Sequence, residues 1–352
     1  MKKLVSVVLL AMLVLTGCSS GSDEKKEDKV LHVYMPGSYV DEELFDEFYD
    51  ETGIKVVKDD FDSNESMLIQ LELGKVWDVI IPSDYMVEHL IGEEMLQPLN
   101  KNLIENLSEL YDGVKNLSFD PNNEYSVPYF WGNVGIVYDQ TKIATADVEK
   151  QGWDIFHDTK YKGLLYLYDS ERDEYMIAQK ALGYSMNTTS EDELAAASAW
   201  LQQIQDTMEP ALVTDEAIDG LAQGEKYLGM MYNGDAAYIL SENENARFFV
   251  PETGTNYFVD AMCVHKDSKM LDEACEFINF MISYEAQLAN SSYVGYSSVN
   301  AKAIKELASS EFEGNEAYLP RTRNAKDEEF HYQDKKHREF LSENWAKIKI
   351  AK

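Results

Sequence analysis

Between Leu31 and about Ile91 the chain alternates strand and helix three times, and no other feature restricts the fold as much. Leu31-His32-Val33-Tyr34-Met35 is apolar and β-like, and Pro36-Gly37 stops it. Residues 41–50 follow as a helix, with Leu44, Phe45 and Phe48 on one face and Gly53 as the break. Ile54-Lys55-Val56-Val57 is the second strand. Ser63 or Asn64 can cap a helix carrying Met67, Leu68, Leu71 and Leu73, and Trp77 to Ile81 is the third strand, ended by Pro82-Ser83. A further helix runs to about Ile91. This βαβαβ pattern predicts a parallel sheet covered by helices on both faces. Ligands of such sheets bind beyond the carboxyl ends of the strands. Those ends carry Gly37, Ser38 and Tyr39 after the first strand, and Ser83, Asp84 and Tyr85 after the third.

The alternation resumes downstream. Tyr125 to Gly132 is aromatic and β-like, Gly135-Ile136-Val137-Tyr138 continues it, and the pair reads as a crossover into a second lobe, with Trp131 as core packing. Leu164 to Leu167 is a strand. Asp169, Glu171, Asp173 and Glu174 cluster at its end, where acids can cap and charge-stabilise the next helix. A long amphipathic helix reaches about Gln205. Leu228 to Tyr232 is a buried strand, with a helix from Asp235 to Glu242 after it. Leu271 to Ser283 is helical, and the tail from Asp327 to Lys349 reads as mostly helical. About 320 residues remain after the leader described below. That is more than one compact core favours, so two lobes are expected.

One stretch breaks its own pattern. Asn256 to Val264 reads as a buried strand, yet it contains Asp260. A carboxylate there must be neutralised, hydrogen-bonded or paired with a cation. Arg247 and Lys266, the nearest bases in sequence, lie outside the run. Either a helix end or a distant Arg satisfies Asp260, or the cation comes from outside the protein. Tyr257 and Phe258 precede it, and aromatic faces attract ammonium groups.

The N-terminus reads as a processing signal. Lys2 and Lys3 precede an apolar run that is too short to span a membrane and stops at Leu15-Thr16-Gly17-Cys18. That string resembles a bacterial lipobox, which implies export, removal of residues 1–17 and lipid anchoring through Cys18. Residues 18–29 are then a polar tether. Acidic residues outnumber basic ones 64 to 31, for a formal charge of −33. This excludes a general nucleic-acid binder, which needs a basic face, and it suits polycations. Cys263 and Cys275 read as buried free thiols. There is no C-x-x-C pair, G-x-S-x-G elbow, Walker loop or H-E-x-x-H motif, and the six His are scattered. No metal, cofactor or catalytic residue is expected.

Several strings together resemble a known family. IPSDY (Ile81–Tyr85), FDPNNEYSVPYFWG (Phe119–Gly132), LGYSMNTT (Leu182–Thr189) and LGMMYNG (Leu228–Gly234) are similar to the spermidine/putrescine-binding proteins of polyamine ABC importers. The resemblance covers nearly the whole chain after the leader. It implies an α/β, two-lobed type II periplasmic-binding-protein fold, with a mostly parallel sheet in each lobe and a ligand cleft between them. Lobe 1 would comprise 30–135 and 260–302, and lobe 2 would comprise 136–259 and 303–352. Carried over by position, the polyamine contacts are Tyr39, Ser83, Tyr85, Asp173, Tyr232, Phe258, Asp260, Tyr296 and Gln333, with Ser38, Ser170 and Glu171 as flanking candidates. The sequence departs from the family at Pro36, where an aromatic is usual, at Tyr232 and Phe258, where Trp is usual, and at Ser170, where an acid is usual. The implied partners are a polyamine, the permease and ATPase subunits of an importer, and a membrane through the lipid anchor, with the protein itself a monomer. A binder of another cationic or polar solute, and an extracellular enzyme or adhesin on the same scaffold, stay open at this point.

Overall fold

The computed structural model describes residues 29–321 and 323–350. The lipobox and most of the tether therefore lie outside the described residues. The chain opens with β1 (Lys29–Pro36), α1 (Glu43–Thr52), β2 (Ile54–Phe61), α2 (Asn64–Glu72), β3 (Val79–Ile80) and α3 (Asp84–Gly92). Local chemistry sets the boundaries. Gly53 takes φ 72° and closes α1 with its N–H on the Tyr49 carbonyl at 2.7 Å. Ser63 starts α2 through a reciprocal capping box with Ser66.

The waist of the molecule is β4 (Ser126–Asp139), an almost wholly buried strand. After it come α4 (Thr145–Gln151), β5 (Tyr166–Tyr168), α5 (Glu171–Ala181), α6 (Glu191–Met208), β6 (Ala211–Val213), α7 (Glu216–Ala222), β7 (Leu228–Tyr232), α8 (Asn233–Glu242) and β8 (Ala246–Phe249). The remainder is β9 (Tyr257–Val264), α9 (Leu271–Met281), α10 (Tyr284–Val294), β10 (Ser297–Ser298), α11 (Ala301–Ala308) and α12 (Lys335–Ile350).

Strands β2, β1 and β3 are mutually parallel, as the alternation predicts, and so are β5 and β6. The sheets are not parallel throughout, however. β9 runs antiparallel between β3 and β4, and β10 closes the far edge of β4 antiparallel. The second half of β4 leaves β9 and pairs antiparallel with β7 and β8. One long strand thus serves two sheets, and the strands that return beside it run against it. The Leu165–Leu228 bridge then ties β7 to the β5–β6 pair. Helices α5, α6 and α12 pack together on the far half, while α9, α10 and α11 pack around β9 and β10. The tail differs from the sequence reading, because α12 begins only at Lys335. Before it, Glu328 forms a parallel bridge to Asn256, so this stretch extends along the start of β9 instead of coiling.

Trp131 is core, as read, with its indole N–H on the Ser298 carbonyl at 2.9 Å. Cys263 and Cys275 are buried free thiols. No described helix is long and apolar enough to cross a membrane.

Candidate functional site

The carboxyl ends of β1, β2 and β3 and of β5, β6 and β7 face one cleft. Its deep part is a cavity of about 620 Å³ walled by Tyr39, Ser83, Tyr85, Tyr232, Phe258, Asp260 and Tyr296, with Ser38 and Pro36 also on its wall. An adjoining cavity of about 880 Å³ shares Tyr85 and Tyr232 and adds Ser170, Glu171, Asp173 and Gln333. The twelve candidates from the sequence therefore line one continuous slot, with Asp260 and Asp173 in different parts of it.

Asp260 projects from β9 opposite Phe130, just past a register shift between Pro128 and Phe130. The Tyr39 hydroxyl donates to its Oδ2 at 2.5 Å, and Ser83 bridges to it across the sheet. Burial pushes the Asp260 carboxyl up from its usual range, and the hydrogen bonds from Tyr39 and Ser83 oppose that shift. Among the described residues no Lys or Arg nitrogen lies within 4.0 Å of Asp260; Arg172, a base that lines both cavities, is engaged by Glu65 at 2.8 Å instead. The carboxylate that looked unaccounted for in the sequence is held by neutral donors only. Tyr39 is itself fixed from behind. Its carbonyl accepts from the Tyr129 hydroxyl at 2.7 Å, and Asn290 Nδ2 donates to that hydroxyl at 2.8 Å. Ser83 is flanked by Asn64, which donates to its Oγ at 3.0 Å and accepts from its backbone N–H at 3.1 Å.

Asp173 lies in the first turn of α5. The Ser170 hydroxyl donates to its Oδ2 at 2.6 Å, and the Tyr232 hydroxyl donates to its Oδ1 at 2.9 Å. Ser170 is also the N-cap of α5, so the departure from an acid there becomes a support for Asp173.

Two further tyrosine–carboxylate pairs were not read from the sequence. Tyr296 donates to Asp235 Oδ2 at 3.2 Å, and Tyr168 donates to Asp215 Oδ1 at 3.1 Å. Burial pushes the Asp235 carboxyl up to about 7. The rings form a chain through the slot: Tyr39 to Tyr296 at 5.3 Å, Tyr296 to Phe258 at 6.1 Å, Phe258 to Tyr232 at 5.4 Å and Tyr232 to Tyr168 at 6.5 Å. All four contacts are edge-to-face. Gly234 makes the chain possible, since a Cβ there would lie 2.2 Å from the Tyr296 ring. Tyr168, Asp215 and Asp235 stand at the carboxyl ends of β5, β6 and β7. The strand-end rule applied to the second lobe, as it was to the first, points to them.

Tyr85 does not offer a free ring face. The Arg172 guanidinium lies 4.1 Å from its centroid, Arg172 Nη2 donates to Glu65 at 2.8 Å, and the Tyr85 hydroxyl donates to the same carboxylate at 3.0 Å. A resident cation already covers this aromatic. Arg172 is the one base among four acids at the start of α5, which is the signal that could have marked it. The slot as a whole pairs carboxylates with aromatic edges and faces, and it can hold an elongated molecule bearing several positive charges separated by apolar links.

Comparison with known proteins agrees with this chemistry. The profile of the family described as bacterial extracellular solute-binding protein matches residues 43–319. The spermidine/putrescine-binding periplasmic protein of Escherichia coli is 31% identical over 310 residues, 88% of each chain. The putrescine-binding periplasmic protein SpuD of Pseudomonas aeruginosa is 31% identical over 321 residues, covering 86% of this chain and 87% of that one. Among solved structures, the spermidine/putrescine ABC transporter substrate-binding protein PotD from Streptococcus pneumoniae superposes with a TM-score of 0.80. It is 34% identical, and the alignment covers 92% of this chain and 99% of that one.

Proposed function

The chain belongs to the bacterial extracellular solute-binding proteins, and from that premise we propose that it captures a polyamine outside the cell membrane and delivers it to an ABC importer. The observation that carries the reading is Asp260, a half-buried carboxylate on the wall of an aromatic slot, which takes a hydrogen bond from the Tyr39 hydroxyl and, among the described residues, has no Lys or Arg nitrogen within 4.0 Å. Such a group favours a cation as partner, and the slot admits one from outside. In this reading Asp260 and Asp173 grip separate ammonium groups. Tyr39, Tyr232, Phe258 and Tyr296 pack the methylenes between them, Ser83 and Gln333 add neutral hydrogen bonds, and Tyr85 acts through its pair with Arg172. Ser38, Ser170 and Glu171 shape the rim.

We place lobe 1 at 30–135 and 260–302 and lobe 2 at 136–259 and 303–352. The packing of α11 on α10 and β10 favours moving residues 303–308 into lobe 1. Closure of the lobes removes water and strengthens each ionic contact. We read the protein as a monomeric binder rather than an enzyme. It would be anchored on the outer face of the membrane through lipidated Cys18, with the importer's permease and ATPase as partners. Incorporation of labelled palmitate that is lost in Cys18→Ala tests the anchor.

A thermal-shift panel tests the ligand class, because a ligand that binds only the folded state raises the melting temperature with concentration. Spermidine and putrescine are expected to stabilise the protein. Stabilisation by a zwitterionic amine alone, whose carboxylate could meet Arg172, would replace the polyamine reading with that of another solute. Silence across the panel would favour the enzyme or adhesin reading.

A further inference from the structure

We propose that Asn256 is a ligand-binding residue of the slot, its side-chain carbonyl Oδ1 accepting an N–H from the bound amine. The inference rests on the polyamine reading above. Asn256 lies where β4 changes partners, since Asn133 still pairs with Tyr257 of β9 while Val134 pairs with Tyr232 of β7. Its backbone carbonyl is satisfied. The carbonyl accepts from Val134 N–H at 3.2 Å, and the residue forms a parallel bridge to Glu328. Its side chain is not. The residue is 3% exposed, and Oδ1 has no hydrogen-bond partner. A buried acceptor in that state is destabilising and uncommon in folded proteins.

Two other asparagines at the waist, Asn133 and Asn233, have the same orphaned oxygen. Neither lines the slot, whereas Asn256 does. Side chains alternate along a strand, so Asn256 shares one face of β9 with Phe258 and Asp260. That face reads as neutral acceptor, aromatic and carboxylate in order. Four residues of extended chain separate its ends by roughly 13 Å. The nitrogen that meets Asn256 is therefore a different one from the nitrogen held by Asp260. An amide suits this place better than another acid. Asp84 is buried and Asp235 and Asp260 are half-buried around the slot, and desolvation raises all three carboxyls. A further charge would add repulsion, whereas an amide oxygen supplies an acceptor without it.

The test is calorimetry of wild type, Asn256→Leu and Asn256→Asp with spermidine and putrescine, together with ligand-free melting curves. The leucine variant keeps the branched shape, with somewhat more bulk, and removes the acceptor, and roughly a tenfold or larger loss of affinity is expected for at least one of the two amines. The aspartate variant keeps an acceptor oxygen and is expected to bind within a few-fold of wild type. Ligand-free melting of the leucine variant is expected to be unchanged or higher, because the orphaned oxygen is gone. Unchanged affinity in the leucine variant overturns the proposal, as does loss of affinity in both variants. A lower ligand-free melting temperature with wild-type affinity assigns Asn256 a purely structural role and also overturns it. If wild type itself binds neither amine, it is the polyamine reading that fails.

Discussion

The two acids that anchor the proposed ligand sit in opposite kinds of structure. Asp260 is in the middle of a central strand, flanked by β3 and β4, and its support is the Tyr39 phenol, with Ser83 bridged to it across the sheet. Asp173 is in the first turn of a helix, where the free N–H groups and the dipole favour negative charge, and Ser170 and Tyr232 both donate to it. The strand gives its carboxylate rigid placement and little electrostatic help, and the helix end gives help in advance. A cation entering the slot therefore gains more at Asp260, where the protein has left the charge least satisfied.

The sharpest way to break that contrast is Asp260→Asn. It is expected to weaken spermidine and putrescine binding by roughly 3–5 kcal/mol, the usual cost of removing one partner of a buried charge pair. Equal affinity for wild type and variant in calorimetry would mean that the anchor is elsewhere. The pH profile adds a second reading. Burial raises the ligand-free pKa of Asp260, and an ammonium partner stabilises the ionised form, so wild-type affinity should fall as pH drops through that raised value. The Asn variant should lose that part of the profile.

The helix end has its own internal contrast. Next to Asp173 is Glu174, which is fully buried. Its Oε1 accepts from Tyr168 N–H at 2.9 Å, and its Oε2 has no partner. Burial pushes its carboxyl up to about 8, from an ordinary 4.5. The folded state therefore holds a proton that the unfolded state has released between those values, and stability falls as pH rises from about 4.5 towards 8. Glu174→Gln should remove a few kcal/mol of that decline. Its melting temperature should match wild type near pH 4 and exceed it near pH 8. A gap between the two melting temperatures that widens as pH rises across that range would show that the start of α5 supports charge at Asp173 and not at Glu174; a constant gap would show that it supports both.

Asp173→Asn should matter less to binding than Asp260→Asn, by roughly 1–3 kcal/mol in all, because the lost charge was already compensated by the helix and two hydroxyls. Calorimetry that ranked Asp173 above Asp260 would reverse the contrast between strand and helix end.

Much of this was legible in the chain itself. Periods of apolar residues gave β1 to α3, the long crossing at β4 and the buried strand around Asp260, since each buries a face wide enough to leave a pattern. β6 and α7 were missed because β6 is three half-buried residues without a clear period. The antiparallel waist was hidden because strand direction depends on partners distant in sequence. The same reason hides the pairing of Tyr39 with Asp260, 221 positions apart, and the covering of Tyr85 by Arg172. The residue types were readable, but which hydroxyl meets which acid was not.

The smallest effects fall on those hydroxyls, and they test the contrast most finely. Tyr39→Phe and Tyr232→Phe each remove one donor and keep the ring, so each should cost about 1 kcal/mol in ligand affinity. The directions of their side effects should differ. Without Tyr39, Asp260 loses one of its two hydrogen-bond supports and its carboxyl rises further, so the affinity of Tyr39→Phe should fall off at a higher pH than that of wild type. Without Tyr232, Asp173 still has Ser170 and the end of α5, so the pH profile of Tyr232→Phe should overlay that of wild type. Calorimetric titrations of both variants at several pH values decide the matter: identical shifts in the two would mean that helix and strand hold their carboxylates in the same way.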